Sequence, residues 1–202
     1  MKKLAATLLV TLLVLSSCAQ AESTSIAIGS TGLCLLVPDS FIPDEPENEI
    51  LFVASDEEYL NSAMVHVDHN GYTVGMLDEL SSNLDSDELS ALARGFLLRA
   101  FDGGTASYVG SHTFELLGRA VFCEIEQAYA PDVDGRPVLS LSASLFLQDG
   151  EQSYWVTYVE SLTGEAAAIR LSEMAAAEDI VAFINTSAEE LAGRVITKEC
   201  DR

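Results

Sequence analysis

His66-Val67-Asp68-His69 is the stretch whose residue types and spacing come nearest to chemistry. On an extended backbone side chains alternate between faces, so His66 and Asp68 share one side. An imidazole beside a carboxylate suits two metal ligands or an acid–base pair. His112 is available as a third ligand, although no spacing rule ties it to the others. The plainer reading makes these residues the polar end of a strand, with His69-Asn70-Gly71 forming the turn beyond it. Asp132-Val133-Asp134-Gly135 begins like a calcium loop, but its twelfth position, where a bidentate glutamate belongs, is Ala143. A hairpin loop accounts for the same residues. Asp56-Glu57-Glu58 and the trio Asp85, Asp87 and Glu88 offer weak calcium ligands or simply a solvated surface. The chain has no Gly-x-Ser-x-Gly elbow, no phosphate-cradling glycine loop with lysine, and no His-Glu-x-x-His. With three histidines, a Ser/His/Asp triad has few candidate bases, and no serine is marked as a nucleophile. The residues therefore read as a protein that is not an enzyme and needs no cofactor.

A different chemistry sits at the start. Met1-Lys2-Lys3 precedes an uncharged apolar run over residues 4–15, about a dozen residues against the roughly twenty a membrane-spanning helix needs. That is the pattern of a secretory signal. Leu15-Ser16-Ser17-Cys18 resembles the bacterial lipobox, in which the cysteine receives the lipid and becomes the mature N-terminus. Ala19-Gln20-Ala21 offers the ordinary small-x-small cleavage instead, which would discard Cys18 and release a soluble secreted protein. The lipoprotein reading is preferred. It expects a protein of the cell envelope, facing outside the cytoplasm and held to a membrane through lipid on Cys18.

Composition limits the partners. The 202 residues contain 10 Lys+Arg against 32 Asp+Glu, a formal charge of −22. Both lysines of the leader leave with it, so the mature chain has 8 against 32, or −24, and Lys198 is its only lysine. A surface so acidic repels nucleic acid and anionic lipid alike, so no nucleic-acid partner is expected. Such a balance also suits a saline habitat, where screening shortens self-repulsion. Cys34, Cys123 and Cys200 remain after either cleavage, 89 and 77 residues apart, with no metal-binding spacing. They allow one disulfide and one free thiol, pairing open, with the Cys200 tail a candidate for tying down. Alternatively, they are three small buried hydrophobes.

The elements that must position these groups follow from periodicity. Strands are expected at residues 33–37, 50–54 and 63–69, with Ala63, Val65 and Val67 sharing one face. Leu77, Leu80, Leu84, Leu89, Leu92, Phe96 and Ala100 recur at helical steps, giving one long helix or two with a joint near Ser86. Ser86 with Leu89 lacks the glutamate of a capping box, though Asp85, Asp87 and Glu88 suit a helix start. Asp102-Gly103-Gly104 ends that helix. Strands follow over 106–117, 120–129, 139–147 and 153–160, and the third alternates Leu139, Leu141, Ala143, Leu145 and Leu147 with Ser140, Ser142, Ser144 and Phe146. An alanine-rich helix over 164–184 closes the chain. Tyr154, Trp155 and Tyr158 line a ligand face or pack the sheet. The expected fold is a single α+β domain: a twisted antiparallel sheet flanked by a long central helix and a C-terminal helix.

Several stretches together resemble the PsbP/DcrB-type domains, small exported proteins with an antiparallel sheet flanked by helices. They are the strand leading to Val37-Pro38-Asp39-Ser40-Phe41, the central helix, Leu117-Gly118-Arg119-Ala120 ahead of a long strand, and Tyr154-Trp155-Val156-Thr157-Tyr158 before the last helix. The resemblance covers residues 32–187, with Phe41 where the family usually has tryptophan. It implies no shared catalytic residues and favours a docking or accessory role beside an envelope protein partner. The chain accordingly divides into a signal with lipobox (1–18), a tether and first short strand (19–31), the α+β domain (32–187) and a C-terminal tail (188–202). A cation or small-ligand binding protein using the acidic turns is the alternative, and an envelope hydrolase centred on His66 and Asp68 the remotest.

Overall fold

The computed structural model describes residues 23–58, 60–81 and 84–200. The leader and Cys18 lie outside these residues.

Alternating leucine and serine in β8 (Pro137–Asp149) sets up the centre of the molecule. β8 pairs antiparallel with β7 (Arg119–Pro131) on one side and β9 (Gln152–Thr163) on the other. The register sets Ile125 opposite Ala143 and Ala143 opposite Tyr158, so the apolar members of all three strands share one face. Beyond β7 comes β6 (Ala106–Leu116). Beyond β9 come β5 (Ser62–Asp68), β4 (Ile50–Ser55) and the two-residue β3 (Ile42–Pro43). The seven-stranded order is β3-β4-β5-β9-β8-β7-β6, antiparallel throughout. Val121, Ile125, Leu145, Leu147 and Val156, on the apolar face, are essentially inaccessible.

Three helices cover that face: α2 (Ser86–Phe101), α3 (Gly164–Ala176) and α4 (Ile180–Val195). α4 buries Ile180, Ile184, Leu191 and Val195 along one stripe. At roughly 1.5–3 kcal/mol for each such side chain, that stripe contributes on the order of 10 kcal/mol before entropy is subtracted. α1 (Val74–Ser81) lies on the opposite face, where Asp78 accepts a 2.6 Å hydrogen bond from Thr113 of β6, and it buries none of its own residues. α1 and α2 therefore straddle the β6 edge of the sheet. The α1 face also carries a small aromatic group: Trp155 meets Phe146 and Phe122 edge-on at centroid distances of 5.2 and 6.3 Å.

A second sheet joins the two ends of the chain. β1 (Ser23–Ala27), β2 (Cys34–Pro38) and β10 (Ile196–Thr197) form it in the order β1-β2-β10. Ile28, Leu33 and Leu35 take it into the common core. The turn between β1 and β2 is pressed against Tyr154 of β9: Gly29 has φ +52°, and a Cβ there would fall within the Tyr154 ring. Only glycine meets both demands. Arg119 braces the same turn by donating to the Thr31 carbonyl at 2.6 Å. Cys34 is bridged to Cys200 across 166 positions of sequence, with Cα atoms 5.6 Å apart, while Cys123 stays a buried free thiol.

The α+β class, the single domain and the antiparallel sheet with flanking helices are as expected. Several local expectations need correcting, although the central helix takes the second of its two expected forms, two helices with the joint just before Ser86. Its cap is Asp85 rather than Ser86, and the capping box is complete: Asp85 accepts from the Asp87 and Glu88 N–H groups at 2.9 Å each, and Glu88 accepts from the Asp85 N–H at 3.1 Å. The final helix is likewise two, because Asp179 starts a new one by accepting from the Ala182 N–H at 3.0 Å. The segment after residue 187 is no tail. Ala188, Leu191, Ala192 and Val195 extend the buried stripe of α4, and the domain runs through β10 to Cys200. The first short strand expected within residues 19–31 is β1.

Candidate functional site

β5 presents His66 and Asp68 on the sheet face away from the three-helix layer, opposite Trp155 and Ser153 of β9. The Asp68 carboxylate is occupied locally: it accepts from the Asn70 side chain at 2.8 Å and from the Asn70 N–H at 3.2 Å, closing the turn after the strand. His69 stands 3.8 Å from Glu49 with both side chains largely in water, where an ion pair is worth little. His112 lies on the helix-covered face of β6, and β9, β8 and β7 stand between β5 and β6. Four strand spacings of about 4.8 Å place it roughly 19 Å away. His66 and Asp68 are thus neighbours, and His112 does not join them. Among the described residues, no three His, Cys, Asp or Glu side chains are placed to hold a metal ion.

His112 belongs to a different constellation. Its Nε2 lies 2.6 Å from the Glu189 carboxylate of α4, its ring stacks on Phe114, and the register sets it opposite Cys123. A thiol, an imidazole and a carboxylate are thereby side by side, a grouping hidden in sequence because Glu189 is 77 residues from His112. It does not make a thiol nucleophile. Cys123 is completely buried, and burial, with Glu124 and Glu189 adding to it, pushes its pKa up to about 12. The thiol therefore stays protonated at neutral pH, whereas reactive cysteines have pKa values at or below neutrality. The His112–Glu189 contact pins α4 to the edge strand.

The acidic turns use their carboxylates internally. Asp132 accepts from the N–H groups of Asp134 and Arg136 at 2.9 and 2.8 Å and from Arg136 Nε at 2.9 Å. The Arg136 backbone bond is the main reason its pKa is lowered. Asp56 accepts from the Leu60 N–H at 2.8 Å and the Asn61 amide at 2.6 Å. Burial pulls its pKa up, but these bonds outweigh it and hold the pKa below the ordinary value. Asp85 caps α2. The hairpin and turn readings of these residues are the ones the geometry shows. Tyr154 and Tyr158 pack into the core, and Trp155 into the aromatic group on the α1 face.

A cleft that sequence reading missed opens between α3, α4 and the ends of β7, β8 and β9. Arg194 of α4 grips Glu160 of β9 with both terminal nitrogens, at 3.0 and 2.8 Å. Arg170 of α3 donates to Ser187 at 2.6 Å and to Glu173 at 3.2 Å, and its guanidinium lies 4.5 Å from the centre of the Phe183 ring. The available signal was scarcity: in a chain so short of cations, two arginines face one another from the last two helices.

No protein-family model matches the chain, and no curated protein matches it. Among solved structures it is similar to the Ran-binding protein Mog1p of Saccharomyces cerevisiae, with 14% identity, a TM-score of 0.40, and coverage of 88% of this chain and 96% of that one. It is also similar to PA94 of Pseudomonas aeruginosa, a protein of unknown function, with 10% identity, a TM-score of 0.28, and coverage of 86% and 96%. Ran binding belongs to the yeast protein's name.

Proposed function

We propose that this is a lipid-anchored protein of the cell envelope, acting without catalysis as a docking or accessory domain outside the cytoplasm. The observation that carries the reading is the Cys34–Cys200 bridge. Structural disulfides persist in oxidising compartments, and this one agrees with the export signal ahead of Cys18. The inert Cys123 thiol and the dispersed histidines favour binding over chemistry, as does the resemblance to PsbP/DcrB-type domains. β1 begins at Ser23, five residues after Cys18, so a lipid on Cys18 would hold the domain within about 17 Å of the bilayer. A partner would then be a membrane protein or one working at the membrane surface.

The test compares the wild-type protein with Cys18→Ser after cross-linking in cells. The wild type should sediment with membranes, carry an acylated N-terminal cysteine by mass spectrometry, and form a discrete cross-linked species. Cys18→Ser should lose the acyl mass, the sedimentation and the cross-link. A wild-type N-terminus beginning at Glu22, or a Cys18→Ser protein still on membranes, would overturn the anchor.

A further inference from the structure

We infer that the apolar slot between the β1–β2 hairpin and strands β3 and β4 is a holding site for one acyl chain of the lipid on Cys18 while the protein is off the membrane. The inference rests on the lipid-anchor reading and names the place on this chain that receives the anchor.

The slot is a part of the core left open to solvent. Val37 and Ala54, 4% and 0% exposed, are the most buried of its lining, and Ile26, Phe41 and Phe52 stand half-buried against the same core. Thr24 and Asp39 bring the polar side chains, and the Thr24 hydroxyl donates to the Asp39 carboxylate at 2.9 Å. Such a lining suits hydrocarbon rather than a sugar, a nucleotide or a metal ion. The cavity of about 290 Å³ holds roughly ten carbons of a chain, at about 30 Å³ each, close to a water's share of the liquid.

Position selects the occupant. β1 supplies Thr24 and Ile26 and is the first described element after Cys18. The register sets Ser23 against Pro38, and Pro38 and Asp39 line the slot, so the chain leaves toward Cys18 beside it. Thr24 is six positions after Cys18, a reach of at most about 20 Å. So short a tether gives an acyl chain on Cys18 an effective concentration in the millimolar range, well above that of a free lipid monomer in water.

Charge disfavours the competitors. A fatty acid or an anionic phospholipid would bring its negative head to the Asp39 carboxylate, on a chain of formal charge −22. An acyl chain in ester or amide linkage on Cys18 brings no charge. Bilayer hydrocarbon is as apolar as the slot, so a membrane takes the chain back when one is available. The slot serves the interval in water, when it covers hydrocarbon that would otherwise stand exposed.

The experiment is intramolecular photo-cross-linking. Cells are fed a fatty acid with a diazirine near its methyl end, and the lipidated protein is purified, freed of detergent and irradiated. Peptide mass mapping should place adducts within the same chain, on Ile26, Phe41 and Phe52. Phosphatidylcholine vesicles added before irradiation should cut those adducts at least tenfold. Thr24→Trp plugs the slot from an exposed position, so its melting temperature should match the wild type while the adducts fall at least tenfold. Ile42→Ser, at an exposed position outside the lining, should keep them. The inference is overturned by an acylated protein whose slot carries no adduct in water, by adducts unchanged with vesicles or in Thr24→Trp, or by a Cys18→Ser protein whose slot carries a phospholipid adduct. A wild-type N-terminus without acyl mass is a separate result, which sinks the anchor itself and the inference with it.

Discussion

Replacing Gly29 by alanine should be among the most damaging single-methyl additions this protein can suffer. Two costs combine. The left-handed φ of +52° costs a residue with a Cβ about 1–2 kcal/mol. The new methyl would also occupy the space of the Tyr154 ring, which is 4% exposed and tied by its hydroxyl to Gln152 at 2.7 Å. Forcing such a ring aside costs roughly 1–3 kcal/mol. The sum is about 2–5 kcal/mol, a large part of the stability of an ordinary domain. In urea, with a slope of about 2 kcal/mol per molar, the midpoint should fall by about 1–2.5 M. Trp155, the only tryptophan, reports the transition by fluorescence. A double-mutant cycle separates the two costs. In a Tyr154→Leu background only the conformational cost remains, so Gly29→Ala should then lose about 1–2 kcal/mol, with a coupling of about 1–3 kcal/mol. Equal losses in both backgrounds, or a loss below about 1 kcal/mol in the wild type, would refute the packing of the β1–β2 turn on Tyr154.

Three further outcomes can be checked. Breaking the Cys34–Cys200 bridge by reduction or by Cys200→Ser should cost up to about 5 kcal/mol, the chain-entropy value for a 166-residue separation; an unmoved urea curve with both thiols free by mass would contradict the pairing. Cys123, with its pKa pushed up to about 12 by burial and neighbouring carboxylates, should resist iodoacetamide at pH 8 until the protein unfolds, and rapid labelling of native protein would place it elsewhere. Asp132 has its pKa depressed below the ordinary 3.8, first by the Arg136 backbone bond, so its hold on the hairpin is complete above that value and lost as pH falls through the lower folded value. The Arg136 amide resonance should titrate with a midpoint below 3.8; a midpoint at or above it would contradict the bond, and Asp132→Asn should abolish the titration.

The sheet was legible because its alternation is strict: Leu139 to Leu147 could bury only one face, and the register shows that face beneath the helices. Helix ends were harder. Asp85 and Ser86 are both good caps, and only the partner three residues on decides between them: Glu88 answers Asp85, while Ser86 is answered by Leu89. The break at residues 177–179 hides in a run that looks helical throughout, because alanine, glutamate and aspartate carry no stop signal. The stripe Ile184, Ala188, Leu191, Val195 was present to be read, but Gly193 and the polar residues around it disguised a buried helix as a tail. The candidate sites were the least legible. His112 meets Glu189, and Arg194 meets Glu160, across 77 and 34 positions, and no local spacing announces such meetings. His66 and Asp68 were paired correctly by strand alternation, yet what engages Asp68 is its neighbour Asn70.

The pairing of the cysteines also imposes an order of assembly. A chain emerging amino-terminus first exposes Cys34, then Cys123 after 89 more residues, and Cys200 only after another 77. Of the two cysteines that follow Cys34, the first to emerge is therefore the wrong one. What protects Cys34 is the position of Cys123 on the inner face of β7, which the helix layer covers, with α4 bringing Glu189 to His112 beside it. α4 ends five residues before Cys200, so the layer that hides Cys123 and the correct partner of Cys34 arrive together. The last helix thus acts as editor of the disulfide, and a substitution that loosens α4 from β7 should reveal itself as scrambled Cys34–Cys123 species during oxidation, even where the finished fold tolerates it.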